Sequence, residues 1–250
     1  MPRGLLLLLL LPASFAAHAV TCETGLQRTV LQERVSGRTV RFDVVNPEAP
    51  AAFDQREQHY ADWVRSNTPL DAVGIVNTHI HVIRKALEKI QPGPFRDSLE
   101  RGLRYTSRIA AGELGTIGQP RCLDQLAFRE YLRLVDLRQS PQEFMAYVFE
   151  RGGMTVMVGD FDDRPDSPIG VQASPVLIET SRRMQAEGWQ LQAHLHNHPL
   201  VFDNPYGDIG PIVPSSPDIA SYMAQRPQQA WITDGREVLR LDRAEYEQLE

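Results

Sequence analysis

Trp189-Gln190-Leu191-Gln192-Ala193-His194-Leu195-His196-Asn197-His198-Pro199 alternates apolar and polar side chains and then stops at a proline. A period of two predicts a β-strand, on which side chains i, i+2 and i+4 share one face. Pro199 has no N–H to give and ends the pairing. Three of the chain's seven histidines therefore project together from the end of this strand. Clustered neutral imidazoles suit a borderline ion such as zinc. The other reading is a polar, solvent-facing strand that happens to carry histidines.

Working outward, the flanks predict an α/β unit. Residues 143–149 and 154–161 read as two strands around Arg151-Gly152-Gly153. Ser174 to Gly188 reads as a helix, with Ser174 as N-cap, Pro175 at the first helical position and Gly188 as the stop. A Pro/Gly/Asp-rich loop covers 199–214, followed by a helix from about Ser215 to Gln225 and a hairpin-like end at 230–233 and 238–241. Upstream, Thr39 to Val45 alternates as a strand. Leu70, Val73, Val76, Ile80, Ile83, Leu87 and Ile90 then recur at three- and four-residue steps. Further helices are expected at 95–111 and 123–137. The expected organisation is a signal peptide at 1–19, a mainly helical N-terminal region at 20–137 and an α/β domain at 138–250 with a mixed sheet and flanking helices.

Composition narrows the function classes. Apolar residues make up 42% of the 250 and charged residues 23%, which is globular rather than disordered. A net charge of −6 argues against nucleic acid as a partner. Met1-Pro2-Arg3, the apolar run Leu5–Leu11 and Ala17-His18-Ala19 have the layout of a secretory signal peptide. The apolar run is too short to cross a bilayer, which takes about 20 residues, so no membrane anchor is expected after cleavage. Export makes the two cysteines, Cys22 and Cys122, read as one disulfide rather than a metal site. A lipid-modified Cys22 is the weaker alternative, because Ala19-Val20-Thr21 lacks the leucine and the small side chain such a site prefers.

A catalytic zinc needs a third protein ligand and a free position for water. Pro214-Ser215-Ser216-Pro217-Asp218 opens the helix after the loop, with Ser215 or Ser216 as N-cap and Asp218 in the first turn. An ordinary helix-start acid is the plain reading of Asp218. His196-x-His198-Pro199 with Ser215-x-x-Asp218, however, resembles the signature of the JAMM (MPN+, JAB-domain) zinc metalloproteases. His196-Asn197-His198-Pro199 is similar to the form in RadC-like members. Gln142-Glu143-Phe144-Met145-Ala146 looks like that family's upstream glutamate element. The resemblance covers about residues 138–245 and implies a JAB/MPN-like, cytidine-deaminase-like fold. It implies one zinc ion per chain held by His196, His198 and Asp218. It further implies Glu143 as the base that deprotonates water, and Ser215 as donor to the developing oxyanion.

The pattern departs from the family in two places. Fifteen residues, 200–214, separate Pro199 from Ser215 where the family has about seven, which reads as an inserted loop. Asp203 or Asp208 within it is an alternative third ligand. His194 is an extra imidazole on the ligand face, read first as supporting the ligands, with a substrate contact or plain exposure as the alternatives. Glu113 and Glu150 are rivals to Glu143. Asn77-Thr78-His79-Ile80-His81 resembles the His-x-His of amidohydrolase barrels, but on a helix i and i+2 lie about 200° apart and cannot share an ion. The expected function is an exported, periplasmic or secreted, zinc-dependent hydrolase of a peptide or isopeptide bond. Its expected partner is a peptide or protein substrate, with cell-wall peptide as one candidate. The alternatives are a metal-holding or interaction module without turnover and, less fitting, a RadC-like role near DNA.

Overall fold

A computed structural model of the chain describes residues 21–49, 53–139, 142–162, 173–202 and 210–249. The expected signal peptide, 1–19, lies outside them. The first elements are β1 (Gln27–Arg34), β2 (Gly37–Val44), α1 (Gln55–Asn67), α2 (Ala72–Leu87), α3 (Pro94–Ala110), β3 (Thr116–Gly118) and α4 (Cys122–Leu132). There follow β4 (Met145–Arg151), β5 (Met154–Asp162), α5 (Pro175–Ala186), β6 (Gln190–Asn197), α6 (Ser216–Gln225), β7 (Gln229–Thr233), β8 (Val238–Asp242) and α7 (Arg243–Tyr246). The strands and helices expected from periodicity are present, with ends shifted by up to five residues. Among the described residues no helix is long and apolar enough to cross a membrane.

All eight strands form one sheet in the order β1-β2-β5-β4-β6-β7-β8-β3. The molecule is therefore mixed α/β with helices on both faces of a mixed sheet. That sheet draws on both sides of the 137/138 boundary, since β1, β2 and β3 precede it. Gly152 and Gly153 make the two-residue β4–β5 turn with φ of 57° and 79°, the pair of positive angles a tight hairpin demands.

The strand alternation sorts the core into two faces. Ala146, Val148, Met157, Ala193 and Leu195 pack with Tyr60 and Val64 of α1 and Leu126 and Phe128 of α4. On the opposite face Tyr147, Phe149, Val156 and Val158 meet Leu177 and Met184 of α5. Farther along that face Ala230, Ile232, Leu239 and Leu241 meet Ile219 and Tyr222 of α6, with Val76 and Ile80 of α2. Each buried Val, Leu, Ile, Phe or Met side chain among these contributes about 1.5–3 kcal/mol. A disulfide joins Cys22, ahead of β1, to Cys122 at the start of α4, as expected for an even cysteine pair. Both residues are fully buried.

Pairing direction places the histidines. β4 runs antiparallel to β6, with Met145 opposite His196. The residues just before β4 therefore lie at the carboxyl end of β6. Among the described residues β6 and β7 are the one parallel pair in the sheet. A parallel pair needs a crossover, and here α6 returns the chain, so its N-terminus also starts at the carboxyl end of β6. Two sequence-distant segments are thus brought to His196 and His198 by topology.

Candidate metal centre

His196 is the penultimate residue of β6, with 3% of its surface exposed, and His198 follows one step beyond the strand. Their rings face each other, with the two Nε2 atoms 3.1 Å apart. A carbonyl can only accept, so His198 Nδ1 donates to Pro211 O at 2.8 Å. That leaves the Nε2 lone pair of the neutral ring for the centre. On the other ring, His196 Nδ1 lies 3.5 Å from the phenol oxygen of buried Tyr222.

Asp218 arrives from the first turn of α6. Ser215 is the N-cap: its hydroxyl accepts from the Asp218 N–H, and Asp218 Oδ2 accepts from the Ser215 N–H at 2.7 Å and from its hydroxyl at 2.6 Å. This reciprocal cap fixes the carboxylate so that Oδ1 lies 3.5 Å from His196 Nε2 and Oδ2 lies 3.5 Å from His198 Nε2. One ligand atom from each of His196, His198 and Asp218 lies within 4.8 Å of the others, so the three could hold a metal ion. Glu143 stands across from them, its Oε1 3.9 Å from His198 Nε2.

The electrostatics are those of a small charged well. Burial disfavours the charged form of His198, but Asp218, then Glu143 and the Pro211 carbonyl, outweigh it and raise the imidazole to about 9. Burial would raise the Asp218 carboxyl, yet the facing charges and hydrogen bonds of His196 and His198 hold it far below the ordinary carboxylate range. Burial lifts the Tyr222 phenol, with Asp218 and Glu143 adding to it, which keeps it neutral. Two imidazoles and one carboxylate around a common point are a donor set zinc accepts, with a position left over. The residues fit the ion.

Sequence reading thus brings together His196, His198, Asp218, Glu143 and Ser215. Ser215 spends its hydroxyl hydrogen on Asp218 and acts here as the clip that holds the carboxylate. His194 shares the face but not the centre. It is 2% exposed, stacked edge-on against Tyr147 and Tyr222, and neither ring nitrogen has a hydrogen-bond partner among the described residues. Burial, then His196, depresses it to about 3, so it is a neutral ring. Glu150 pairs opposite Gln190, six residues along β6 from His196, or about 20 Å. Glu113 lies after α3, exposed and beside Arg108. Asp203 and Asp208 fall outside the described residues. His79 and His81 lie on α2, where the helix keeps them from sharing an ion.

Two features were missed in the sequence. Asn197, fully buried on the opposite face from the histidines, accepts from Phe144 N–H at 2.6 Å and donates to Gln142 O at 3.0 Å. It therefore grips the backbone on both sides of Glu143. Its signal was its place between two histidines of the candidate centre, where alternation turns an amide inward. The second is the inserted loop's return. A Cβ on Gly210 would lie 2.3 Å from Pro199 O, so only glycine lets the chain pass close enough for Pro211 to reach His198. Comparison with protein-family models, with curated proteins and with solved structures gives no match.

Proposed function

We propose that the chain is a zinc-dependent hydrolase of amide bonds, peptide or isopeptide, acting outside the cytoplasm on a JAB-like fold. The observation that carries this is the Glu143 carboxylate 3.9 Å from a histidine whose Nε2 already faces His196 and Asp218. His196, His198 and Asp218 would hold the ion. Zinc supplies Lewis acidity and acidifies a water at neutral pH. Glu143, gripped through Asn197, takes a proton at its carboxylate and returns it to the departing amine. Ser215 positions Asp218 through its hydroxyl, so the oxyanion role suggested by the family resemblance calls for a hydroxyl released from that bond. The resemblance of residues 138–245 to the JAMM pattern supports the substrate class. The leader-like residues 1–19 and the Cys22–Cys122 disulfide support export.

Glu143→Gln is the direct test. The variant keeps one zinc per chain and loses at least about 100-fold in hydrolysis of a peptide library, the span general-base catalysis contributes. A variant that cleaves as fast as the parent overturns the assignment of the base. A second reading, a zinc-holding module without turnover, is favoured by the engagement of the Ser215 hydroxyl with Asp218. It predicts bound zinc and no chelator-sensitive cleavage in the parent protein.

A further inference from the structure

A cleft of about 340 Å³ opens between α1 and the turn that follows α4, lined by Arg56, His59, Tyr60, Arg133, Asp136 and Arg138 among others. On a chain with a net charge of −6, it gathers three guanidinium groups against one carboxylate. That carboxylate is already used, since Asp136 accepts from Arg138 at 2.7 Å through each oxygen. Arg133 donates to Glu130 at 3.0 Å, but Glu130 is shared with Arg28 and Arg38. Arg56 has no acidic partner among the described residues. The cleft therefore offers unspent positive charge in a concave, partly apolar setting.

Its position relates it to the metal centre. Tyr60, on its wall, packs in the same core as Leu200, two residues past His198. Arg138 stands five residues before Glu143, so the chain between them spans at most about 17 Å. The volume is at the small end of ligand cavities and admits the end of a peptide rather than a folded partner. Arginine binds carboxylates through a planar, two-pronged donor fork.

We propose that this cleft binds a carboxylate of the substrate, a peptide C-terminus or an acidic side chain, within about five residues of the bond that is cleaved. Its role as a substrate subsite rests on the hydrolase reading; its affinity for a carboxylate does not. The test is binding, not turnover, with the full chain kept in chelator. The probes are fluorescently labelled penta-alanine as free acid, as amide, and as amide with one Glu, followed by anisotropy. The free acid or the Glu peptide should bind about tenfold tighter than the plain amide, as one charge-assisted bond allows. Which of the two gains tells a terminal carboxylate from a side-chain one. Arg56→Gln, which breaks no ion pair among the described residues, and Arg133→Gln should each remove most of that preference, with thermal unfolding confirming the fold. Equal binding of all three peptides, no binding of any, or a preference that survives both substitutions overturns the proposal. Intact preference without zinc-dependent cleavage would remove the hydrolase reading alone.

Discussion

The starts of α5 and α6 are built alike and do different things. Each opens on a serine N-cap, Ser174 or Ser215, with a proline in the first turn, and each serine holds an aspartate. At α5 the aspartate is Asp160 from β5. Its Oδ1 accepts from the Thr39 hydroxyl at 2.5 Å and the Ser174 hydroxyl at 3.0 Å, and its Oδ2 from the Ser174 N–H at 2.6 Å. At α6 the aspartate is Asp218. Only its Oδ2 is committed to the serine, and Oδ1 is turned toward His196. Asp160 has both oxygens engaged by hydrogen-bond donors of β2 and of its own cap. Asp218 keeps Oδ1 outside its cap, facing the candidate centre. What separates the two sites is not residue type or capping but whether one carboxylate oxygen is left outside the cap.

The sharpest way to break this comparison is to neutralise each aspartate in turn. Asp218→Asn should weaken zinc binding by about 100-fold or more, read by competition with a chelating dye. Asp160→Ala should leave zinc affinity unchanged but cost about 3 kcal/mol in denaturant unfolding, because Thr39 and Ser174 lose a buried acceptor. Crossed results would show that the two sites are not the different things described here. The pH dependence sharpens it further. His198 is raised to about 9 in the metal-free chain, so its proton competes with zinc. Zinc affinity should climb about tenfold per pH unit from 7 and level off above about 9. By the same sign, stability contributed by the charged imidazole is whole below its ordinary value near 6.5 and disappears as pH rises through about 9. Calorimetric titration at several pH values checks the first and thermal scans of zinc-free protein the second. The smallest effect is in the caps. Ser174→Ala and Ser215→Ala should each cost about 1 kcal/mol, yet only Ser215→Ala should also loosen zinc, because only that serine clips a carboxylate of the proposed ligand set.

Much of this was legible in the sequence because it depends on local periodicity. Alternation from Leu191 to His196 fixes which ring faces which side, and Ser215-x-x-Asp218 sets a cap whatever surrounds it. β3, three residues long, has no period to detect. The joining of β1 and β2 to β5 is a pairing across more than a hundred residues, and no local pattern encodes it. Asn197 failed to stand out for the same reason: its partners, Gln142 and Phe144, lie 55 and 53 positions away. Glu143 itself was found by family resemblance, while its physical justification is the antiparallel register of β4 on β6.

The lone parallel seam between β6 and β7 has a kinetic corollary. The β1–β2 and β4–β5 hairpins close over two residues each and β7–β8 over four, whereas β6 meets β7 only after the thirty-one residues 198–228 have looped back. Loop closure of that length is entropically dearer and slower than zipping a hairpin. Histidines and aspartate are therefore strangers in a half-folded chain, and we expect stopped-flow refolding to show zinc capture lagging behind strand formation. On that order of events a bound ion would stabilise the finished fold rather than nucleate it.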